Sequence, residues 1–121
     1  MTSKAKPRKD YSLFREISRT DKRQAKWRKQ RETRGFDDTE TWGLNTVIAQ
    51  FVLPRLKCFK KLNNGIQPGF TGEDWDAALD DMIYAMEVNA DDERSFDKTV
   101  DWDRVMRGQQ LFGEHFRGLW W

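Results

Sequence analysis

Apolar residues recur at three- and four-residue steps between Thr41 and Leu62, at Leu44, Val47, Ile48, Phe51, Val52, Leu56, Phe59 and Leu62. That spacing predicts an amphipathic α-helix, with Arg55, Lys57, Lys60 and Lys61 towards its edges or its other side. This is the longest periodic run in the chain, and the shorter ones are expected to bury their apolar faces against it. Pro54 falls in its middle, where the missing N–H and the ring's clash with the preceding turn predict a kink near Gln50 to Leu53, or two helices meeting there. Asn63-Asn64-Gly65 supplies the stop, because Asn and Gly tolerate the left-handed conformation.

After a turn at Gln67-Pro68-Gly69, Thr71 is placed to cap a second helix, with Asp74 three residues on. Trp75, Ala78, Leu79, Met82, Ile83 and Met86 form its apolar stripe, and Asp74, Asp76, Asp80 and Asp81 its acidic, solvated face. Asn89 to Lys98 reads as a polar linker with at most one turn around Phe96. A last helix is expected after Thr99 or Asp101, carrying Trp102, Val105, Met106, Gln109, Phe112, Phe116 and Leu119 on one side. Gly108, Gly113 and Gly118 weaken that helix, which predicts close backbone approach there. The pattern is all-α. It describes a small three-to-four-helix bundle with a kinked long helix, compact over residues 35–121 and preceded by a basic, partly helical N-terminal arm over residues 1–34.

Charge sharpens that division. Residues 1–34 contain thirteen Lys or Arg against four Asp or Glu, whereas residues 35–121 contain nine against sixteen. The first ten residues offer nothing to pack, and Tyr11, Leu13, Phe14 and Ile17 make one short apolar cluster able to dock on the body. From Arg19 to Arg34 the composition favours a helix that is solvated or bound to a partner and not buried. Lys22, Arg23, Lys26, Arg28, Lys29, Arg31 and Arg34, with Trp27 among them, suit a nucleic-acid grip, in which cations neutralise phosphates and one indole stacks on a base. A solubilising tail, or an arm for an acidic protein, has the same composition.

Only 37% of the residues are hydrophobic, so the six Trp and eight Phe must supply much of the core. Aromatics also suit interfaces, which makes Trp42, Trp120 and Trp121 candidates for binding another protein. The terminal pair either folds back over the core or docks on a partner. The single Cys58 excludes an intrachain disulfide framework and is expected to be buried or half-buried in its helix, in keeping with a reducing, intracellular setting. Self-association is compatible with a basic arm and an acidic body.

Chemistry is sparsely signalled. His115 is the only histidine, which argues against a structural zinc site, and no glycine-rich phosphate loop, HExxH or CxxC occurs. Glu73, Asp76 and Asp80, with Asp91, Asp92 and Glu93, have the spacing of hard-metal sites in helical nucleotide hydrolases, and equally that of the wet face of an acidic helix. No catalytic residue, metal ligand or cofactor is assigned. There is no apolar run long enough for a membrane span and no secretory signal at the start.

Several motifs occur together: Arg34-Gly-Phe-Asp-Asp-Thr-Glu-Thr-Trp42, Ile48-Ala-Gln-Phe51, Leu53-Pro-Arg-Leu-Lys57-Cys-Phe-Lys60, Met82-Ile-Tyr-Ala85 and Gln110-Leu-Phe-Gly-Glu-His-Phe-Arg-Gly-Leu-Trp120. In this order, over residues 34–121, they resemble a family of small tailed-bacteriophage accessory proteins of unassigned function. The resemblance implies a protein made in the cytoplasm of an infected bacterium. The expected function is non-catalytic binding and modulation of a host or phage protein. Nucleic-acid binding through the arm, metal-dependent nucleotide hydrolysis, and a role as a virion or assembly component are the alternatives.

Overall fold

The computed structural model describes residues 17–62 and 65–120. Over these the protein is all-helical, with four α-helices and no strand: α1 (Gln24–Arg34), α2 (Leu44–Leu62), α3 (Gly72–Asn89) and α4 (Trp102–Glu114). Short 3-10 helices cover Asp38–Thr41, Asp92–Phe96 and Phe116–Gly118. Two compact units divide between Val47 and Ile48, inside the long periodic run. Residues 1–16, with Tyr11, Leu13 and Phe14, lie outside the described residues, as do Asn63, Asn64 and Trp121. No helix among the described residues is long and apolar enough to cross a membrane.

In the first unit the helix of charged residues is anchored after all. Trp27, expected on a solvated helix, is buried at 3% exposure and meets the Trp42 ring edge-on at 5.7 Å. Gly35 ends α1 in the left-handed conformation, with φ 90°, and its N–H bonds the Arg31 carbonyl. The chain then turns into a capping box. The Asp37 carboxylate accepts from the Thr39 N–H at 2.9 Å and from the Thr39 hydroxyl, while the Asp37 N–H donates to Glu40 Oε2 at 2.9 Å. Arg31, itself mostly buried, donates to the other Asp37 oxygen.

The second unit packs two helices on α3. Its core unites Ala49 and Leu56 of α2 with Trp75, Ala78, Leu79, Met82 and Met86 of α3, and half-buried Val52, Leu53 and Phe59 pack against them. α2 and α3 run antiparallel: the Gln50 amide donates to the Ala90 carbonyl at 3.0 Å, and Lys60 pairs with Asp80 at 2.9 Å. α4 is antiparallel to α3 on another side. Trp75 lies beside His115 at one end, and Val88 clusters with Val100 and Val105 at the other. A Cβ on Gly108 would stand 2.1 Å from the Asp81 carbonyl oxygen and 2.8 Å from Ala85 Cβ, so only glycine permits this crossing. Gly113 has open space around it, and Gly118 meets only the flexible side chain of Gln67.

Three expectations about faces need correction. In α2, Leu44, Ile48, Phe51 and Leu62 are exposed at 53%, 47%, 49% and 48%, and the buried side is centred on Ala49, Val52, Leu53 and Leu56. Apolar residues occupy so wide an arc of this helix that periodicity alone does not select the sector facing α3. Cys58, expected to be buried or half-buried, shares the outer side and is exposed. In α4, Val105 is buried as expected, but Trp102 and Met106 face solvent, because the close packing at Gly108 turns that side of the helix inward. α2 runs unbroken through Pro54, which excludes two separate helices.

The helix starts follow their chemistry. Thr71 Oγ1 accepts from the Asp74 N–H at 3.0 Å, and Asp101 accepts from the Arg104 N–H at 3.0 Å. Asp81, placed by sequence on the solvated face of α3, is half-buried between Arg104 (2.8 Å) and Arg107 (3.1 Å). Burial pushes its carboxyl up, but bonds donated by both guanidinium groups outweigh this and hold it below the ordinary carboxylate value.

Candidate functional site

The second unit contains a cleft of about 440 Å³ lined by Gly65, Ile66, Gln67, Pro68, Trp75, Gly118 and Trp120. Its near wall is the turn between α2 and α3. The Phe70 N–H bonds the Gln67 carbonyl at 3.0 Å, and Gly69 at φ 89° takes the left-handed place that a type II turn requires. Its far wall is the C-terminal segment, where the Trp120 N–H donates to the Gly118 carbonyl at 2.9 Å. The Gln67 amide ties the two walls by donating to that same carbonyl at 2.9 Å.

The floor is aromatic. Trp75 is buried between Phe70, whose ring centroid is 5.5 Å away, and His115, at 5.6 Å, and both meet it edge-on. His115 also stands edge-on to Phe70 at 5.0 Å, a packing role consistent with a helical histidine in an aromatic cage. The Trp75 indole N–H is buried without a hydrogen-bond partner. Trp120 stands at the rim, 75% exposed, and Phe116 is 62% exposed, whereas Phe112 and Leu119 beside them pack on the core. Every described side chain lining the cleft is uncharged, so it suits an apolar or neutral polar group, such as a side chain of another protein.

The candidates named from sequence are dispersed. Trp42 belongs to the first unit and Trp120 to the second, and Trp121 lies outside the described residues. Trp120 is not folded over the core. Of the proposed nucleic-acid contacts, Trp27 is buried and four cations face carboxylates of their own chain: Arg23 with Asp21 at 2.9 Å, Lys26 with Asp38 at 3.7 Å, Arg31 with Asp37, and Arg34 with Asp38 at 2.8 Å. Bonds from Gln30 and Arg34, and the nearby Lys26, hold the Asp38 carboxyl below its usual range. Arg23 also lies over the rings of Trp27 and Trp42, at 4.8 and 5.5 Å. Lys22, Arg28 and Lys29 are exposed and make no ion pair among the described residues.

Nor do the acidic residues converge. Among the described residues no three His, Cys, Asp or Glu side chains are grouped to hold a metal ion, and Asp80 is occupied by Lys60. The side chain of Asp92 is outside the described residues. Ile66, Gln67 and Pro68, which build the cleft, were legible only as a turn; a Gln-Pro-Gly sequence beside an apolar Ile was the available signal. No family model matches the chain, and no curated protein or solved structure matches it either.

Proposed function

We propose that this chain is a non-catalytic accessory protein, of the bacteriophage kind its sequence resembles, which binds and modulates a host or phage protein in the infected cell. The observation that carries this reading is the uncharged cleft with Trp120 exposed at its rim. A large indole held at the edge of a preformed concavity is the usual form of an interface anchor: it contributes buried area on association with little loss of rotamer freedom. The turn at Gln67 and the bond to Gly118 keep the two walls together before any partner arrives, which lowers the ordering cost of binding.

The test begins with capture of partners by the full chain from phage-infected bacteria, followed by affinity measurement with the purified partner. Trp120→Ala is expected to weaken binding by at least about tenfold while leaving the fold intact. Unchanged affinity in that variant, and in Ile66→Asp, rejects the cleft as the docking site.

One observation favours nucleic-acid binding as a second reading: Lys22, Arg28 and Lys29 are exposed cations that make no ion pair among the described residues. It is the weaker reading, because the aromatic ring meant for stacking is the buried Trp27. Retention on DNA or RNA that falls steeply with salt and disappears in the triple Lys22, Arg28 and Lys29 to Ala variant would raise it above the first.

A further inference from the structure

Donors and acceptors are unmatched in the cleft of the second unit. Trp75, 2% exposed, forms its floor, and the indole N–H is buried without a partner among the described residues. An indole can only donate. Two carbonyls of the walls are already engaged: Gly118 accepts from the Gln67 amide and from the Trp120 N–H, both at 2.9 Å, and Gln67 accepts from the Phe70 N–H at 3.0 Å. Two bonds use both lone pairs of the Gly118 oxygen. The missing partner is therefore an acceptor brought from outside.

We propose, resting on the reading of this cleft as a docking site, that its occupant is a proline-containing segment of the partner in the polyproline II conformation. A prolyl ring lies on the Trp120 indole, and a carbonyl oxygen of the segment accepts the Trp75 N–H.

Three properties of the site select this chemistry. Every described side chain lining it is uncharged, so a carboxylate or phosphate would lose its hydration against walls that offer no cation. The acceptor is thus a neutral oxygen. Backbone carbonyls inside a helix or a sheet ladder are already paired, whereas those of polyproline II are free, because that conformation has no internal hydrogen bonds. Proline also has a carbonyl but no N–H, so it delivers the acceptor without burying a donor beside carbonyls already in use. Trp120 is the third property. It is 75% exposed at the rim, its backbone is held by the bond to Gly118, and it offers a flat apolar face to a flat apolar ring. Aromatic grooves that bind extended proline segments use this combination, and the fixed φ of proline lowers the ordering cost.

The experiment uses the full chain and a short capped oligoproline peptide, with a capped alanine–glutamine peptide of equal length as control. In proton–nitrogen correlation spectra the Trp75 indole N–H resonance is expected to move downfield as oligoproline is added. Affinity is expected to exceed that for the control by at least about tenfold, and Trp120→Ala to remove that advantage with an unchanged circular dichroism spectrum. A Trp75 resonance that stays in place at millimolar oligoproline, or equal affinity for the two peptides, overturns the proposal. If a captured partner nevertheless loses affinity on Trp120→Ala, the cleft remains the docking site and only its proline preference fails. If partner and oligoproline are both indifferent to Trp120→Ala and to Ile66→Asp, the two readings fall together.

Discussion

Among the described residues of the unit that ends at Val47, Trp27 is the one buried hydrophobic side chain, and the other buried residues are Asp37, Thr39, Glu40 and Thr46. Among those of the unit that starts at Ile48 the buried side chains are Ala49, Leu56, Val100, Val105 and seven residues of α3, and none of the buried polar residues falls there. The first unit depends on directional bonds between charged and polar groups around one indole, the second on non-directional burial of apolar surface. Each kind of interior fails in its own way. A polar network fails when one member is removed and its partner stays buried and unpaired. An apolar core fails when volume is removed or added.

The largest effects should therefore arise from different chemistry in the two units. Asp37→Ala strips the mostly buried Arg31 of its carboxylate and removes the capping bonds together, and is expected to cost about 3–5 kcal/mol. Hydrogen exchange at the Trp27 amide in the full chain measures it. Replacing Arg31 and Asp37 together by apolar residues of similar volume should restore most of the loss, and a double variant as weak as the single one would show that the pair itself matters. In the second unit Gly108→Ala forces a methyl group into the Asp81 carbonyl and should cost about 3 kcal/mol in urea unfolding. Gly113→Ala, with open space around it, should instead stabilise by up to about 1 kcal/mol. Equal effects at the two glycines would contradict the close crossing of α3 and α4.

A smaller effect concerns pH. Asp81 has a folded-state value below that of the unfolded chain, so the stability it contributes is complete above the ordinary carboxylate value of 3.8 and is lost as the pH falls through the depressed folded value. Acid unfolding of Asp81→Asn should lack this component, and identical acid profiles for the two proteins would remove the assignment. Least of all, Trp120→Ala should change the unfolding free energy by no more than about 0.5 kcal/mol, as expected for a side chain that stays three-quarters exposed at the rim of the cleft. A loss several times greater would mean that Trp120 belongs to the core.

Much of this was legible in the sequence, and the failures share a cause. On α3 the stripe of Trp75, Ala78, Leu79, Met82 and Met86 was read correctly, but the side that meets α4 was missed: Ala85 and Val88 are buried there and Asp81 is half-buried, because the aspartates beside them read as a solvated face. The faces of α2 and α4 were misread because both have apolar residues over a wide arc, and in α4 the deciding residue, Gly108, is small. It acts by permitting approach, which hydrophobic periodicity does not register. Trp27 was misread for the opposite reason. Eleven residues of charged α1 gave no apolar stripe, and the ring that meets its indole is a second tryptophan, Trp42, beyond Gly35. The cleft was hidden because its walls are two segments about fifty residues apart, joined by a hydrogen bond from the Gln67 amide to the Gly118 carbonyl.

Hydrogen–deuterium exchange of the full chain, with and without a partner captured from infected cells, tests the docking role of the cleft most directly. Binding at the cleft predicts new protection concentrated at Ile66 to Phe70 and at Gly118 to Trp120. Protection confined to Lys22 to Arg34, with those two segments unchanged, would contradict it.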